Sequence, residues 1–114
     1  NRGNTKGKLK DYQGATADYN KAIAIDPQYA PAYNNRGYFK YLLGDFQGAI
    51  KDANKALEIN PNSGATLDTR GLAKHGLGQD ESACADLKSA SSLGIEESSQ
   101  YLQSEGGAWC RNMR

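Results

Sequence analysis

The stretch Ala30–Ser63, APAYNNRGYFKYLLGDFQGAIKDANKALEINPNS, decides the fold, because the chain on either side repeats it at a fixed interval. Arg36-Gly37 is preceded by Arg2-Gly3 and followed by Arg70-Gly71, each 34 residues away. The same shift carries Ala15 onto Ala49 and Ala83, Asp18 onto Asp52 and Asp86, and Ala22 onto Ala56 and Ala90. It also carries Pro27 onto Pro61. A strict period of this length means one supersecondary unit stacked on copies of itself, each unit burying its apolar face against the next.

Within Ala30–Ser63 the punctuation is helical. Pro31 suits a first helical turn, and Gly44 suits the left-handed residue that closes a helix over about Ala30–Leu43. Asp45 is an N-cap for a second helix. Ala49, Ile50, Ala53, Ala56, Leu57 and Ile59 keep helical spacing until Asn60-Pro61 stops it. The preceding unit predicts a helix ending near residue 9 and a second from the cap Asp11 through Ile25. The following unit begins near Gly64, turns at Gly78-Gln79 and runs from Asp80 to Leu93. A helix from about Glu96 to Glu105, polar through Ser98, Ser99, Gln100, Gln103 and Ser104, reads as a cap over the last apolar face. The expected organisation is one array over 1–105, with units 1–29 (truncated at its start), 30–63 and 64–97, a capping helix over about 96–105, and a tail over 106–114.

Bulk properties narrow the function. Fourteen basic residues against thirteen acidic leave a formal charge of +1, which argues against a nucleic-acid partner. No apolar run reaches the roughly 20 residues that cross a bilayer, so no membrane insertion is expected. Two cysteines, Cys84 and Cys110, are too few for a disulfide framework, and Cys84 reads as a buried free thiol. Cytoplasm is the default compartment on these grounds. His75 is the only histidine, so no multi-histidine metal site can form, and neither metal nor cofactor is expected. A Cys84–His75 dyad lacks an orienting group and an oxyanion loop, so the chain is not read as an enzyme.

The 34-residue helix–turn–helix unit with small residues at Gly37, Ala49, Ala56 and a closing Pro61 resembles the tetratricopeptide repeat (TPR) family. Tyr33 matches the family's early aromatic; Gly3, Ala15, Tyr19, Ala22 and Pro27 match in the first unit, and Leu67, Gly71, Ala83, Leu87 and Ala90 in the third. The Asn-Arg-Gly run is similar to repeats frequent in bacterial arrays, cyanobacterial ones included. The resemblance implies an all-α solenoid of antiparallel helix pairs with a C-terminal capping helix. It also implies a concave groove that binds an extended segment or helix of a partner protein, including in assembly or scaffolding roles. A homo-oligomeric scaffold, self-associating through the array ends, is the alternative.

Departures from the family pattern sort the polar residues. Arg2, Arg36 and Arg70 stand where Leu is usual, and Lys6, Lys40 and Lys74 where Tyr is usual. With Asp18, Asp52 and Asp86 on the second helices, these predict three stacked polar clusters that hold each helix pair together, Arg36–Asp52–Lys40 being the best formed. The groove is then left to Asn4, Lys8, Asn34, Asn35, Tyr38, Tyr41, Leu42, Asp68, Thr69, Leu72 and His75. Tyrosines bring large contact area with few rotors, and asparagines can both donate to and accept from a peptide backbone. Family members that hold a chaperone's C-terminal carboxylate use an Asn pair with Lys and Arg clamps. Asn4 and Asn35 resemble that pair, but Ala65 and Thr69 stand where the cations belong, which weighs against such a clamp. Trp109 lies in the tail with Cys110. Two readings stay open: the tail folds back to seat Trp109 on the last helices, or it docks elsewhere with Cys110 exposed.

Overall fold

The computed structural model describes residues 4–112, with side chains from residue 13 onward except those of Glu105 and Arg111. Among the described residues seven α-helices follow one another: α1 (Asn4–Ile25), α2 (Ala30–Leu42), α3 (Phe46–Ile59), α4 (Gly64–Gly76), α5 (Asp80–Ser92), α6 (Glu96–Gln103) and the short α7 (Ala108–Arg111). A 3₁₀ turn, Glu105–Gly107, precedes α7. Each helix from α1 to α6 packs on the next, and α2 also reaches α4, so the first helices of successive units stand side by side. This is an all-α solenoid of antiparallel pairs closed by a capping helix.

The turns explain the boundaries. Gly44 and Gly78 adopt φ of +86° and +81°, a conformation that costs any residue with a Cβ. Each is followed by an amide that returns to the helix it ends, Asp45 N–H to Lys40 O at 2.8 Å and Gln79 N–H to Lys74 O at 2.9 Å. Asp45 then caps α3, its Oδ1 accepting from Gly48 N–H at 3.0 Å. In the first unit the position matching Gly44 is Lys10. With no glycine to turn left-handed, the helix does not break at Asp11, and α1 runs unbroken for 22 residues.

The core is thin and made of small residues. Ala49, Ala53, Ala56, Ala73, Ala83 and Ala90 are all buried, which lets α2 approach α3 and α4 approach α5 closely. A Cβ added to Gly71 would lie 2.8 Å from Leu87 Cγ and 3.0 Å from the Ala83 carbonyl oxygen, so the glycine is required by the seam. Bulk gathers at the C-terminal end, where Cys84, Leu87, Leu102 and Cys110 form a buried cluster flanked by Leu72, Tyr101 and Trp109.

That cluster contains the main correction to the sequence reading. Cys84 is not a free thiol; it is bonded to Cys110, with the two Cα atoms 5.3 Å apart. The tail folds back over the cap rather than docking elsewhere. Trp109 stacks on His75 with ring centroids 3.9 Å apart, and its Nε1–H donates to Tyr101 Oη at 2.8 Å. Gly106 and Gly107 supply the reversal, Gly107 lying against the backbone of Tyr101 and Leu102 where a Cβ would collide.

Candidate functional site

Two seams of charge fix the helices that frame the groove. Arg36 on α2 grips Asp52 on α3 with Nε at 2.8 Å and Nη2 at 2.7 Å, and Lys40 adds a contact at 3.3 Å. Arg70 on α4 grips Asp86 on α5 in the same way, at 2.7 and 2.8 Å, with Lys74 at 3.0 Å. Both carboxylates are buried, and a planar fork on a carboxylate is the geometry that compensates such burial. The hydrogen bond to Asp52, opposed by partial burial, raises the Arg36 pKa further above its ordinary value. In the first unit Asp18 is exposed, while Arg2 and the side chain of Lys6 lie outside the described residues.

The third nitrogen of each guanidinium reaches back to the previous unit. Arg36 Nη1–H donates to Asn20 Oδ1 at 2.7 Å, and Arg70 Nη1–H donates to Asn54 Oδ1 at 2.9 Å. Each arginine thus holds its own helix pair and the junction to the preceding unit. Asn20 and Asn54 are absent from the expected clusters, although they too stand 34 residues apart. The series stops at the cap, where the same register holds Lys88 and Ser104. There α6 is held by Ser98 Oγ–H donating to Asp68 at 2.6 Å and by the Ser91–Ser99 hydroxyl pair at 2.6 Å, while the disulfide ties α7 to α5.

Between the first helices lies a cleft of about 440 Å³ lined by Asn34, Asn35, Tyr38, Ala65, Asp68, Thr69, Ile95 and Glu97. α2 and α4 form two walls, and the start of α6 forms the third. Tyr38 stands exposed at the cleft, braced edge-on by Phe39 at 5.8 Å. Tyr41 is half-buried beside Phe46, and burial, with Tyr101, Asp68 and Tyr38 nearby, raises its pKa above the ordinary phenol value. Burial likewise raises the Asp68 carboxyl above its ordinary value; Ser98's hydrogen bond opposes this and the Glu97 carboxylate adds to it.

The remaining groove candidates divide. Leu42 is exposed on α2 but does not line the cleft. Thr69 lines it at the edge yet is buried, its hydroxyl donating to Ala65 O at 3.2 Å. Leu72 packs into the cap cluster, so it is committed to packing and is not free groove surface. His75 is covered by Trp109, with Nδ1 held 2.8 Å from Asp80 Oδ1. The tail, which the repeat does not contain, thus stacks on the last turn of α4. The side chains of Asn4 and Lys8 lie outside the described residues. Ile95 and Glu97 form the wall that the expected groove residues leave out, although the register of this capping helix as the first helix of a fourth unit is a signal that could have placed them there.

With Cys84 bonded to Cys110 and His75 stacked under Trp109, no Cys84–His75 nucleophile is assembled. Among the described residues no group of three His, Cys, Asp or Glu could hold a metal ion, and no helix is long and apolar enough to cross a membrane.

A tetratricopeptide repeat family profile matches residues 30–63, and a second TPR repeat profile matches residues 3–44. Among solved structures, the chain is similar to the first TPR domain of the human RPAP3 protein, at 26% identity and a TM-score of 0.79, over 99% of this chain and 92% of that one. It is similar to the first TPR of Spaghetti (RPAP3) bound to the HSP90 peptide SRMEEVD, at 27% identity and a TM-score of 0.73, over 90% and 89% of the two chains. The Arabidopsis OM64 TPR domain is similar at 27% identity and a TM-score of 0.74, over 96% and 85%. No curated protein matches the chain significantly.

Proposed function

The chain belongs to the tetratricopeptide repeat family, and from that membership we propose that it binds a segment of a partner protein in the cleft between α2, α4 and the start of α6. The observation that carries this reading is the cleft itself. Its walls offer Tyr38 as an exposed aromatic anchor and the Asn34 and Asn35 amides as backbone partners. The similar TPR of Spaghetti holds a peptide, which supports a peptide as the occupant here. The charges on α2 and α4 support the division of labour, since Arg36, Lys40, Arg70 and Lys74 all contact Asp52 or Asp86 and serve the scaffold.

The function is interaction, not catalysis. Asn4, Lys8, Tyr41 and Leu42 extend the proposed contact surface beyond the cleft along the first helices. The self-associating scaffold has no observation that favours it over the groove reading, and light scattering over a concentration series separates the two. The Cys84–Cys110 bond supports an oxidising compartment over the cytoplasm default.

The groove reading is tested by comparing proteins retained by the wild type and by a Tyr38→Ala/Tyr41→Ala variant of unchanged helix content. Partners bound at the groove are retained by the wild type alone; equal retention by both moves the site elsewhere.

A further inference from the structure

We propose that the cleft selects a segment bearing a lysine or arginine, whose cation sits between Asp68 and Glu97, and rejects a segment that presents only carboxylates. The inference rests on the peptide-groove reading and adds the chemistry of the occupant.

Three observations converge on it. First, Asp68 on α4 and Glu97 on α6 both line the cleft, and no lysine, arginine or histidine is among its lining residues. Second, the cations on the same helices are spent elsewhere. Arg36 and Lys40 contact Asp52, Arg70 and Lys74 contact Asp86, and His75 lies under Trp109 against Asp80. None of these five is left to neutralise the cleft. Third, Asp68 is held in place without being saturated. Ser98 is its hydrogen-bond donor among the described residues and occupies Oδ1, so Oδ2 can take a further donor. The Glu97 carboxylate is near enough to disfavour the Asp68 charge, and an incoming cation relieves that repulsion.

The walls suit such a guest. The Tyr38 ring is a face for an ammonium or guanidinium, and Ile95 gives its methylene stem an apolar contact. Asn34 and Asn35 take the guest's backbone groups. An acidic segment would instead meet two carboxylates with no cation among the described cleft-lining residues to answer it, a juxtaposition that suppresses binding.

The test uses three short synthetic peptides of identical apolar residues, differing only in carrying Lys/Arg, Gln, or Glu with a free C-terminal carboxylate. Fluorescence anisotropy measures each against the wild type, Asp68→Asn, Glu97→Gln and Tyr38→Ala. The basic peptide should bind tightest and lose affinity as salt is raised. Each neutralising variant should weaken it about tenfold and weaken the Gln peptide by clearly less. Glu97 is exposed, so Glu97→Gln keeps the proposal testable if Asp68→Asn perturbs the fold. Tightest binding of the Glu peptide, or basic-peptide affinity unmoved by both variants, overturns the charge selection. If that happens while Tyr38→Ala still abolishes binding, the groove reading survives and only the selection falls. If no peptide binds, both fall.

Discussion

Replacing Asp52 by alanine should destabilise the protein by about 2–3 kcal/mol, between the limits for a fully dry ion pair broken on one side, about 3–5 kcal/mol, and a fully exposed one, about 0–1 kcal/mol. The structure sets the position between these limits. The Asp52 carboxylate is 4% exposed, whereas Arg36 and Lys40 keep 19% and 26% of their side-chain surface. The carboxylate is dry, but both stranded cations can turn toward water by bending their stems. Alanine retains the Cβ that faces Gly37, so little cavity is added to the lost charge. The Arg36–Asp52 bond can be isolated by a double-mutant cycle with Arg36→Ala, where a bidentate charged contact should show coupling of about 1.5–3 kcal/mol. Urea unfolding followed by circular dichroism measures each arm. Asp18→Ala is the internal control, because Asp18 occupies the same register in an exposed setting and should cost within about 0.5 kcal/mol. If Asp52→Ala is no more costly than Asp18→Ala, or the coupling falls below about 0.5 kcal/mol, the charged seam does not hold the helices.

Reducing the Cys84–Cys110 bond, which closes a separation of 26 residues, should lower stability by about 3.5 kcal/mol on loop-entropy grounds. Trp109 fluorescence should change with it as α7 leaves His75, and an unchanged melting temperature in reductant refutes this. Asp68→Asn should be more stable than the wild type at neutral pH. Burial raises the folded-state pKa of Asp68, so its stabilising contribution is full only below the ordinary carboxylate value and is lost as pH rises through the raised one. The advantage of the variant should therefore shrink as pH falls, and a gap independent of pH would contradict it. Gly71→Ala should cost about 1–3 kcal/mol through the clash with Leu87 and the Ala83 carbonyl. Gly14→Ala in α1, where an added Cβ meets nothing within 4 Å, should stabilise by about 0.5–1 kcal/mol. Equal effects in denaturant titrations would undo the packing argument.

The architecture was legible because the signal that encodes it is periodic. Gly44 and Gly78 mark turns, Asp45 marks a cap, and Ala49, Ala56, Ala83 and Ala90 mark close seams, all in one register. The misplaced break at Asp11 shows what the period alone does not carry. A turn needs a residue that tolerates positive φ, and Lys10 does not. Asn20 and Asn54 were within reach of the same register, but their partners lie across a unit boundary. The disulfide was not legible, since it depends on a fold-back after Gly106-Gly107 that has no counterpart in the repeat. That fold-back also reassigned His75 to the cap, and the cap's core took Leu72. Where the chain departs from its own period, spacing gives no coordinates for a side chain, and the fold-back of Trp109 and Cys110 is such a departure.

Proton–nitrogen NMR of the labelled protein, titrated with the Lys/Arg peptide, tests the central claim most directly. Binding in the cleft predicts that the shifted amides centre on Asn35, Tyr38, Asp68 and Glu97, drawn from all three walls. Shifts confined to the outer faces of α3 and α5, around Lys51 and Lys88, would contradict it.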